Sequence, residues 1–407
     1  MHTRILTAAG LALAVAAAPA AALASQSGLD TALLDAKLEA FAAAADHAVV
    51  AEVRHGDETW SAAVGPRSLE HDEGDAKPQD RVRIGSITKS MTSTVLLQLQ
   101  AEGALDLDDP LSAHLPGVLP YEDEATVREL MGHRGGVPDY LRRLYASLLE
   151  DDDLTDFYAN YRTHYSASEL IAIGTAGDQV NPPGDGFAYS NTGYTALGLL
   201  IEELTGDDLD DVFEDRIFEP AGLDRTYFGR PGTSGIRGPH LDPYLTTGDP
   251  DKPYVDTSGL SYSQLWAGGN VVSTMGDLND FYAALTDGTL LDAASLAEAT
   301  AFEDAGGVGY GLGLFGIRPG CAADPGAVFL GHNGDTLGHE ANSFHSLDGE
   351  RQISVAWNIV DRHDTADPDA LEKAWNELLY AGLCGEDQDA PAAALTIAPA
   401  RPEPMTA

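Results

Sequence analysis

The chain is poor in basic residues. Its 407 residues include 23 Lys and Arg against 65 Asp and Glu, which gives a formal net charge of −42. Such an excess of negative charge repels phosphate backbones and anionic lipid surfaces, so it argues against nucleic-acid and membrane-surface partners. Because salt screens repulsion between surface charges, we expect the protein to be more stable at high salt.

Cysteine is equally scarce, with only Cys321 and Cys384. These residues either form one bridge that closes a long loop near the C-terminus or remain as two buried thiols, and an oxidising compartment favours the bridge. His133, His339 and His345 do not have the spacing of metal ligands. We therefore predict neither a metal nor another cofactor.

Long apolar runs are missing after the first two dozen residues. Arg4 precedes an alanine-rich apolar run, and Ala22 and Ala24 form a small-x-small cleavage site. We predict a signal peptide at 1–24 and a secreted, extracellular mature chain. No later stretch is long enough to span a bilayer, and Ser25 rather than a cysteine directly follows the cleavage site, so we expect no stable membrane anchor. We also expect a monomer.

Strand patterns lie towards both ends of the chain, with helical periodicity between them. This order predicts an α+β fold: a mostly antiparallel sheet flanked by helices, plus a helical subdomain at about 104–227, with a cleft between the two lobes. The glycine-rich segment 308–315 is predicted as one strand. The domain is expected to cover 25–385, and the Ala/Pro-rich 386–407 is expected to be a disordered tail.

Ser86 and Lys89 precede apolar residues at helical spacing. Positions three apart share a helix face, so the hydroxyl and the amine are expected to meet near the helix N-terminus. A serine is a weak nucleophile until a base takes its proton, and a lysine can act as that base when burial lowers its pKa.

Two further motifs carry suitable chemistry. Tyr189 and Asn191 lie on an irregular segment before a helix, and His332 and Gly334 lie at the end of a predicted strand. A tyrosine beside a lysine ammonium is expected to ionise below its usual pKa of about 10. Asn191 can hydrogen-bond a substrate amide and the lysine at once. Gly334 lets substrate approach the backbone, and the next N–H can serve as an oxyanion donor.

With these three motifs in this order, the chain resembles the serine β-lactamase and penicillin-binding superfamily. It is most similar to the branch with secreted D-Ala-D-Ala carboxypeptidases, class C β-lactamases, D-aminopeptidases and related esterases. The likeness runs from about Leu33 to Leu383 and implies a β-lactamase/transpeptidase-like fold.

The resemblance also implies roles for particular residues. Ser86 is the expected nucleophile, and Lys89 is either its proton acceptor or the group that tunes Tyr189. Tyr189 is expected to pass the proton to the leaving group and later to activate water. His332 is expected to complete the catalytic set. The expected substrate-binding residues are Asn191, Asn333, Gly334 and Asp335, and the backbone N–H groups of Ser86 and Asp335 would form the oxyanion hole.

Departures from the family pattern bear on the substrate. His332 stands where class C β-lactamases have lysine, which argues against an efficient β-lactamase. The carboxypeptidases have threonine at the two positions that Asn333 and Asp335 occupy in this chain. They also have an arginine soon after their Tyr-Gly-x-Gly-Leu motif, whereas in this chain Phe315 follows that motif. Those groups bind a substrate carboxylate, so their replacement weakens the carboxypeptidase interpretation.

The sequence thus predicts a secreted serine hydrolase that acts on a small-molecule or peptide substrate through an acyl-enzyme on Ser86. A D-alanyl-D-alanine carboxypeptidase-like activity is the first interpretation. The alternatives are an esterase or D-aminopeptidase of the same superfamily, a non-catalytic binder of β-lactams or cell-wall peptides, and a metal-dependent amidase.

Overall fold

A computed structural model describes residues 28–122, 124–363 and 367–387. The predicted signal peptide at 1–24 lies outside these ranges, as does all but the first two residues of the predicted tail at 386–407. No helix within the described ranges combines the length and the apolar character needed to cross a membrane.

Helices fill the region before the main sheet, the centre of the chain and its end. Their bounds are α1 (Thr31–Ala45), α2 (Thr88–Ala101), α3 (Val127–Met131), α4 (Leu141–Leu144), α5 (Ala146–Asp151), α6 (Thr155–Asn160), α7 (Ala167–Gly174), α8 (Asn191–Thr205), α9 (Leu209–Phe213), α10 (Glu219–Ala221), α11 (Trp266–Gly269), α12 (Met275–Thr286), α13 (Ala293–Ala299) and α14 (Pro368–Cys384). The stretch predicted as a helical subdomain contains α3 to α10.

Strands come from both ends of the chain, as expected. Their bounds are β1 (Val49–His55), β2 (Glu58–Val64), β3 (Val82–Arg83), β4 (Tyr227–Phe228), β5 (Tyr244–Thr246), β6 (Tyr254–Asp256), β7 (Val271–Ser273), β8 (Glu303–Asp304), β9 (Gly309–Tyr310), β10 (Phe315–Ile317), β11 (Phe329–Asp335), β12 (Glu340–Ser346), β13 (Arg351–Trp357) and β14 (Ile359–Val360). The segment 308–315, predicted as one strand, is instead two strands joined by a turn.

The main sheet has eight strands in the order β2-β1-β13-β12-β11-β10-β9-β8, and every neighbouring pair is antiparallel. Alternate residues of β1 pack into two different hydrophobic cores, one on each face of the sheet, because successive side chains of a strand point to opposite faces. Val49, Ala51 and Val53 pack with α1 and α14, whereas Val50 belongs to the larger core around α2 and α12.

Local sequence signals account for several helix ends. Thr126 caps α3 and Ser166 caps α7 in reciprocal capping boxes, each with a glutamate three residues later. Gly206, at φ 77°, ends α8 in the left-handed conformation that glycine adopts readily. The caps explain why these helices begin and end at these residues.

The larger core holds the element that carries the site. Met91, Val95 and Leu96 of α2 are fully buried, and the same core extends into α3, α8 and α12. A helix enclosed in this way has little freedom to move, so groups at its N-terminus are held in place. On the far face of the sheet, the predicted disulfide is confirmed: Cys321 is bonded to Cys384 at the end of α14.

Candidate active site

Ser86 lies at the N-terminal approach to α2. It is on a 3-10 turn, Gly85–Ile87, and α2 begins directly after it at Thr88. Ser86 is half-buried, while both neighbours in the turn are buried. Although the serine precedes the α-helix rather than lying on it, the predicted meeting occurs: Lys89 Nζ lies 2.9 Å from Ser86 Oγ.

Two glycines allow the end of β11 to lie directly against this turn. Gly85 has a φ of +53°, and a Cβ there would stand 2.8 Å from the backbone nitrogen of Asp335. A Cβ on Gly334 would stand 2.0 Å from the carbonyl oxygen of Ile84 and 2.8 Å from the nitrogen of Ser86. These approaches bring together the backbone regions of Ser86 and Asp335, the two predicted oxyanion donors.

Lys89 is fully buried and its amine is surrounded by acceptors. Besides contacting Ser86, Nζ donates to Asn191 Oδ1 and to the carbonyl oxygen of Gly268 in α11, both at 2.7 Å. Burial disfavours the ammonium form and lowers the pKa of Lys89 to about 7, against a smaller opposing effect of Asp139. A substantial fraction of the amine is therefore neutral near pH 7 and able to accept a proton.

Asn191, the first residue of α8, has both ends of its side-chain amide engaged. Its oxygen accepts from Lys89, and its Nδ2 donates to Asp139 Oδ2 at 3.0 Å. The predicted contact with the lysine is present, whereas a substrate amide would have to compete with Asp139 for the NH₂ group. Asp139, in the loop before α4, is a site residue that the sequence analysis missed.

Tyr189 faces the same serine and lysine. Its hydroxyl shares a hydrogen bond with Ser86, the Lys89 amine lies 4.8 Å from its ring centroid, and its ring packs on His133 at 4.0 Å between centroids. Burial raises the pKa of Tyr189, although the hydrogen bond to Ser86 opposes that shift. The prediction of a readily ionised tyrosine is wrong, because burial disfavours the phenolate form. Tyr189 is a neutral hydroxyl that can relay a proton.

His332 is buried in β11. Its Nδ1 donates to the carbonyl oxygen of Asn333 at 2.5 Å, so its Nε2 is free to accept from the Tyr310 hydroxyl at 3.2 Å. Burial lowers the pKa of His332 to about 3, and the nearby Lys89 adds to the shift. The ring is therefore neutral at working pH. His332 is thus a neutral group bonded to Tyr310, and its part in the catalytic set stays a prediction.

The remaining predicted binding residues lie along the same strand. Asn333 is half-buried, and strand alternation places it on the face opposite to His332. Asp335 Oδ2 pairs with Arg362 Nη2 at 3.0 Å, and its Oδ1 accepts from the backbone of Leu337 at 2.7 Å. Arg362, missed by the sequence analysis, offsets the negative charge expected beside the oxyanion donor.

An aromatic side chain stands where the carboxypeptidases carry their arginine. The Phe315 ring lies 4.7 Å from that of His332 and 4.8 Å from that of Tyr310, measured between centroids. This group offers apolar contact rather than positive charge to a substrate.

The histidines considered as metal ligands have other partners. His133 Nδ1 accepts from the backbone of Ser190, His339 Nε2 bonds the carbonyl oxygen of Leu241, and His345 bonds Ser343. In the described part of the chain, no group of three or more His, Cys, Asp or Glu side chains is arranged to hold a metal ion.

Comparison with known proteins agrees with this geometry. The family model described as Beta-lactamase matches residues 34–378. The chain belongs to the Beta-lactamase family. Within this superfamily of serine hydrolases, its fold is the β-lactamase/transpeptidase-like one.

Solved relatives match over nearly their whole length. A D-stereospecific amidohydrolase from Streptomyces sp. is 31% identical, with a TM-score of 0.73 over 88% of this chain and 99% of that chain. The D-amino acid amidase from Ochrobactrum anthropi SV3 is 25% identical, also at 0.73, over 86% and 98% of the two chains.

Curated sequences match over shorter segments. Penicillin-binding protein 4* of Bacillus subtilis is 31% identical over 156 residues, 37% of this chain and 31% of that protein. The human mitochondrial serine beta-lactamase-like protein LACTB is 24% identical over 383 residues, 76% of this chain and 62% of that protein. The chain thus spans less than two thirds of either protein.

Proposed function

We propose that the protein is a serine hydrolase that works through an acyl-enzyme on Ser86 with Lys89 as the base. The observation that carries the proposal is a buried amine, of which a substantial fraction is neutral near pH 7, 2.9 Å from a half-buried serine hydroxyl. A non-catalytic binder has no need of such a base.

In the first step Ser86 Oγ attacks the substrate carbonyl carbon, and its proton passes to Lys89 Nζ. The backbone N–H groups of Ser86 and Asp335 stabilise the oxyanion that forms. The ammonium returns its proton through the Tyr189 hydroxyl to the departing amine or alcohol as the carbonyl–leaving-group bond breaks. Water then loses a proton along the same path to Lys89 and attacks the ester carbonyl. As the bond between the acyl carbon and Ser86 Oγ breaks, Lys89 returns the proton to Oγ, which releases the acid and free Ser86.

For the substrate, we propose amides and esters of D-amino acids that lack a carboxylate beside the leaving group. Phe315 provides an apolar wall, and at the end of β11 Arg362 is already paired with Asp335. The likeness to a D-stereospecific amidohydrolase over almost all of both chains supports this class.

A D-alanyl-D-alanine carboxypeptidase is the second candidate. Because Arg362 pairs with Asp335, Asp335 repels a substrate carboxylate less than an unpaired aspartate would. The similarity to a protein named penicillin-binding protein 4* also favours this candidate.

The substrate classes separate in one experiment. We would measure kcat/KM for D-phenylalanine amide, L-phenylalanine amide and a peptide ending in D-Ala-D-Ala, with the Ser86→Ala variant as control. The proposal predicts the highest value for D-phenylalanine amide and none above background for the variant. Faster cleavage of the peptide, with a Ser86-dependent benzylpenicillin adduct in the intact mass, would establish the carboxypeptidase instead. An adduct without any turnover would indicate a binder.

Export remains a proposal that rests on residues 1–24. Expression of the full chain in a secreting host, followed by N-terminal sequencing of protein from the medium, should give a mature chain that begins at Ser25. Retention of uncleaved protein inside the cells would refute it.

A further inference from the structure

We propose that Asp139 is a positioning residue for the base: its carboxylate holds the Asn191 side chain in the one orientation that presents the amide oxygen to the Lys89 amine. The inference deepens the proposed function, since it concerns the same proton transfer. Asp139 lies 52 residues from Asn191 and 50 from Lys89 in the sequence, and only the fold brings the three together.

The hydrogen-bond chain defines the role. Asn191 Nδ2 donates to Asp139 Oδ2 at 3.0 Å, and Asn191 Oδ1 accepts from Lys89 Nζ at 2.7 Å. An asparagine amide can rotate by 180°, which exchanges its oxygen and its NH₂ group. The rotated amide would direct two donors at the Lys89 amine and its oxygen at the Asp139 carboxylate. Because an ionised carboxylate only accepts hydrogen bonds, Asp139 selects the unrotated form.

Asp139 is itself fixed by its surroundings. Its Oδ1 accepts from the backbone of Leu141 at 3.2 Å. The next residue ties the loop to α8, because the backbone N–H of Tyr140 donates to Thr192 Oγ1 at 3.0 Å. The Tyr140 hydroxyl also bonds the carbonyl oxygen of Gln264, just before α11. Since α8 carries Asn191 and α11 carries Gly268, the loop is anchored to both elements that hold Lys89.

Electrostatics gives Asp139 a second effect on the base. Its negative charge raises the pKa of Lys89 against the lowering caused by burial. The other titratable groups described around Lys89 are uncharged: the rings of Tyr189 and Tyr194 lie 4.8 and 5.4 Å from Nζ, and burial lowers the pKa values of His133 and His332. Around Asp139 stand Arg142, Tyr140 and Tyr189, and burial raises the pKa of the carboxyl.

The test compares the pH dependence of kcat/KM in Asp139→Ala, Asn191→Ala and the double variant. We expect Asp139→Ala to lower the plateau about 10²-fold, because a misplaced base reacts poorly. Without the carboxylate the ammonium is less stable, so the acidic limb should also move about one unit towards lower pH. Asn191→Ala should lower the plateau of kcat/KM by a similar factor, and its acidic limb should lie closer to the wild-type position. If Asp139 acts through Asn191, the double variant should lose little more kcat/KM than either single variant.

Asp156→Ala is the matched control, since Asp156 also accepts from a backbone N–H, that of Ser147, in the neighbouring helical stretch. Asp156→Ala should change the thermal stability and leave the acidic limb of the kcat/KM pH profile at the wild-type position. Additive losses in the double variant, or an unshifted limb in Asp139→Ala, would overturn the inference. Turnover that survives in Ser86→Ala would instead overturn the proposed function, so the two failures are distinguishable.

Discussion

The site has a helical wall, formed by α2, and a strand wall, formed by β11. Each wall buries one basic side chain, and the two bases behave differently. On the helical wall, the Lys89 amine has three acceptors, and its pKa falls to about 7. On the strand wall, His332 bonds a tyrosine hydroxyl and a carbonyl oxygen, and its pKa falls to about 3. Burial acts on both, but lysine starts about four units higher. The lowering that lets Lys89 act as a base in the proposed mechanism therefore keeps His332 neutral, so we expect proton transfer on the helical wall and none on the strand wall.

The largest expected effect comes from removing the base. Lys89→Met keeps the volume of the side chain but not its amine, so kcat/KM should fall about 10⁴-fold or more. The protein should remain folded but melt at a somewhat lower temperature, because Asn191 Oδ1 and the Gly268 carbonyl oxygen lose their buried donor. Steady-state kinetics and a thermal melt test both statements.

Lys373→Met is the control for this variant, because the Lys373 side chain is 78% exposed and far from the α2 wall in sequence and fold. It should retain wild-type kinetics. If Lys89→Met kept more than about a hundredth of the wild-type kcat/KM, the assignment of Lys89 as the base would be wrong.

Removing the relay hydroxyl should have the next largest effect. Tyr189→Phe preserves the ring that packs on His133 and removes the group that hydrogen-bonds Ser86. We expect kcat to fall about 10²- to 10³-fold, as for the loss of a general acid. The loss should be smaller for esters with good leaving groups, which need no proton on departure. Equal losses for a p-nitrophenyl ester and an amide would argue that Tyr189 has another role.

The pH dependence compares the two bases directly. Lys89 works as the neutral amine, which predominates above its pKa, so kcat/KM should rise with pH up to about 7 and then level off. From the plateau above pH 7 down to pH 5 the fall should be about 10²-fold, and it should approach tenfold per unit below about pH 6. His332 is neutral throughout this range and should contribute no limb. A limb that disappears in His332→Gln while remaining in Lys89→Met would reverse the assignment.

The smallest effect is expected on the strand wall. Arg362→Gln leaves Asp335 unpaired beside the oxyanion donor. We expect kcat/KM for a neutral amide to fall only about two- to fivefold, the range of a partly exposed ion pair. An anionic peptide should lose more, and added salt should reduce the difference. Arg216→Gln, which breaks a surface ion pair with Glu102, is the control. It should change kcat/KM for neither the amide nor the peptide.

Much of the site can be predicted from the sequence because its signals are local. Ser86 and Lys89 are three residues apart, and a single helical turn suffices to bring them together. The capped helices α3 and α7 were predictable for the same reason, since their capping residues lie within one turn. The strand pattern near both chain ends likewise predicted an antiparallel sheet.

Asp139 and Arg362 were not predictable in this way. Asp139 contacts Asn191 only through packing of the loop before α4 on α8, and Arg362 reaches Asp335 across 27 residues. Neither lies in a recognisable motif. The direction of the Tyr189 pKa was also missed, because it depends on burial and on the charge state of a neighbouring lysine. Such properties follow from three-dimensional surroundings rather than from spacing.

The central claim is that Ser86 becomes acylated with the help of Lys89. The most direct measurement is the intact mass and peptide map of protein quenched in acid within milliseconds of mixing with p-nitrophenyl acetate. The account predicts an added acetyl group on the peptide that contains Ser86 in the wild type, none in Ser86→Ala, and very slow addition in Lys89→Met. Unmodified Ser86 in a wild-type enzyme that is turning over the ester, or the same adduct in Ser86→Ala, would contradict it.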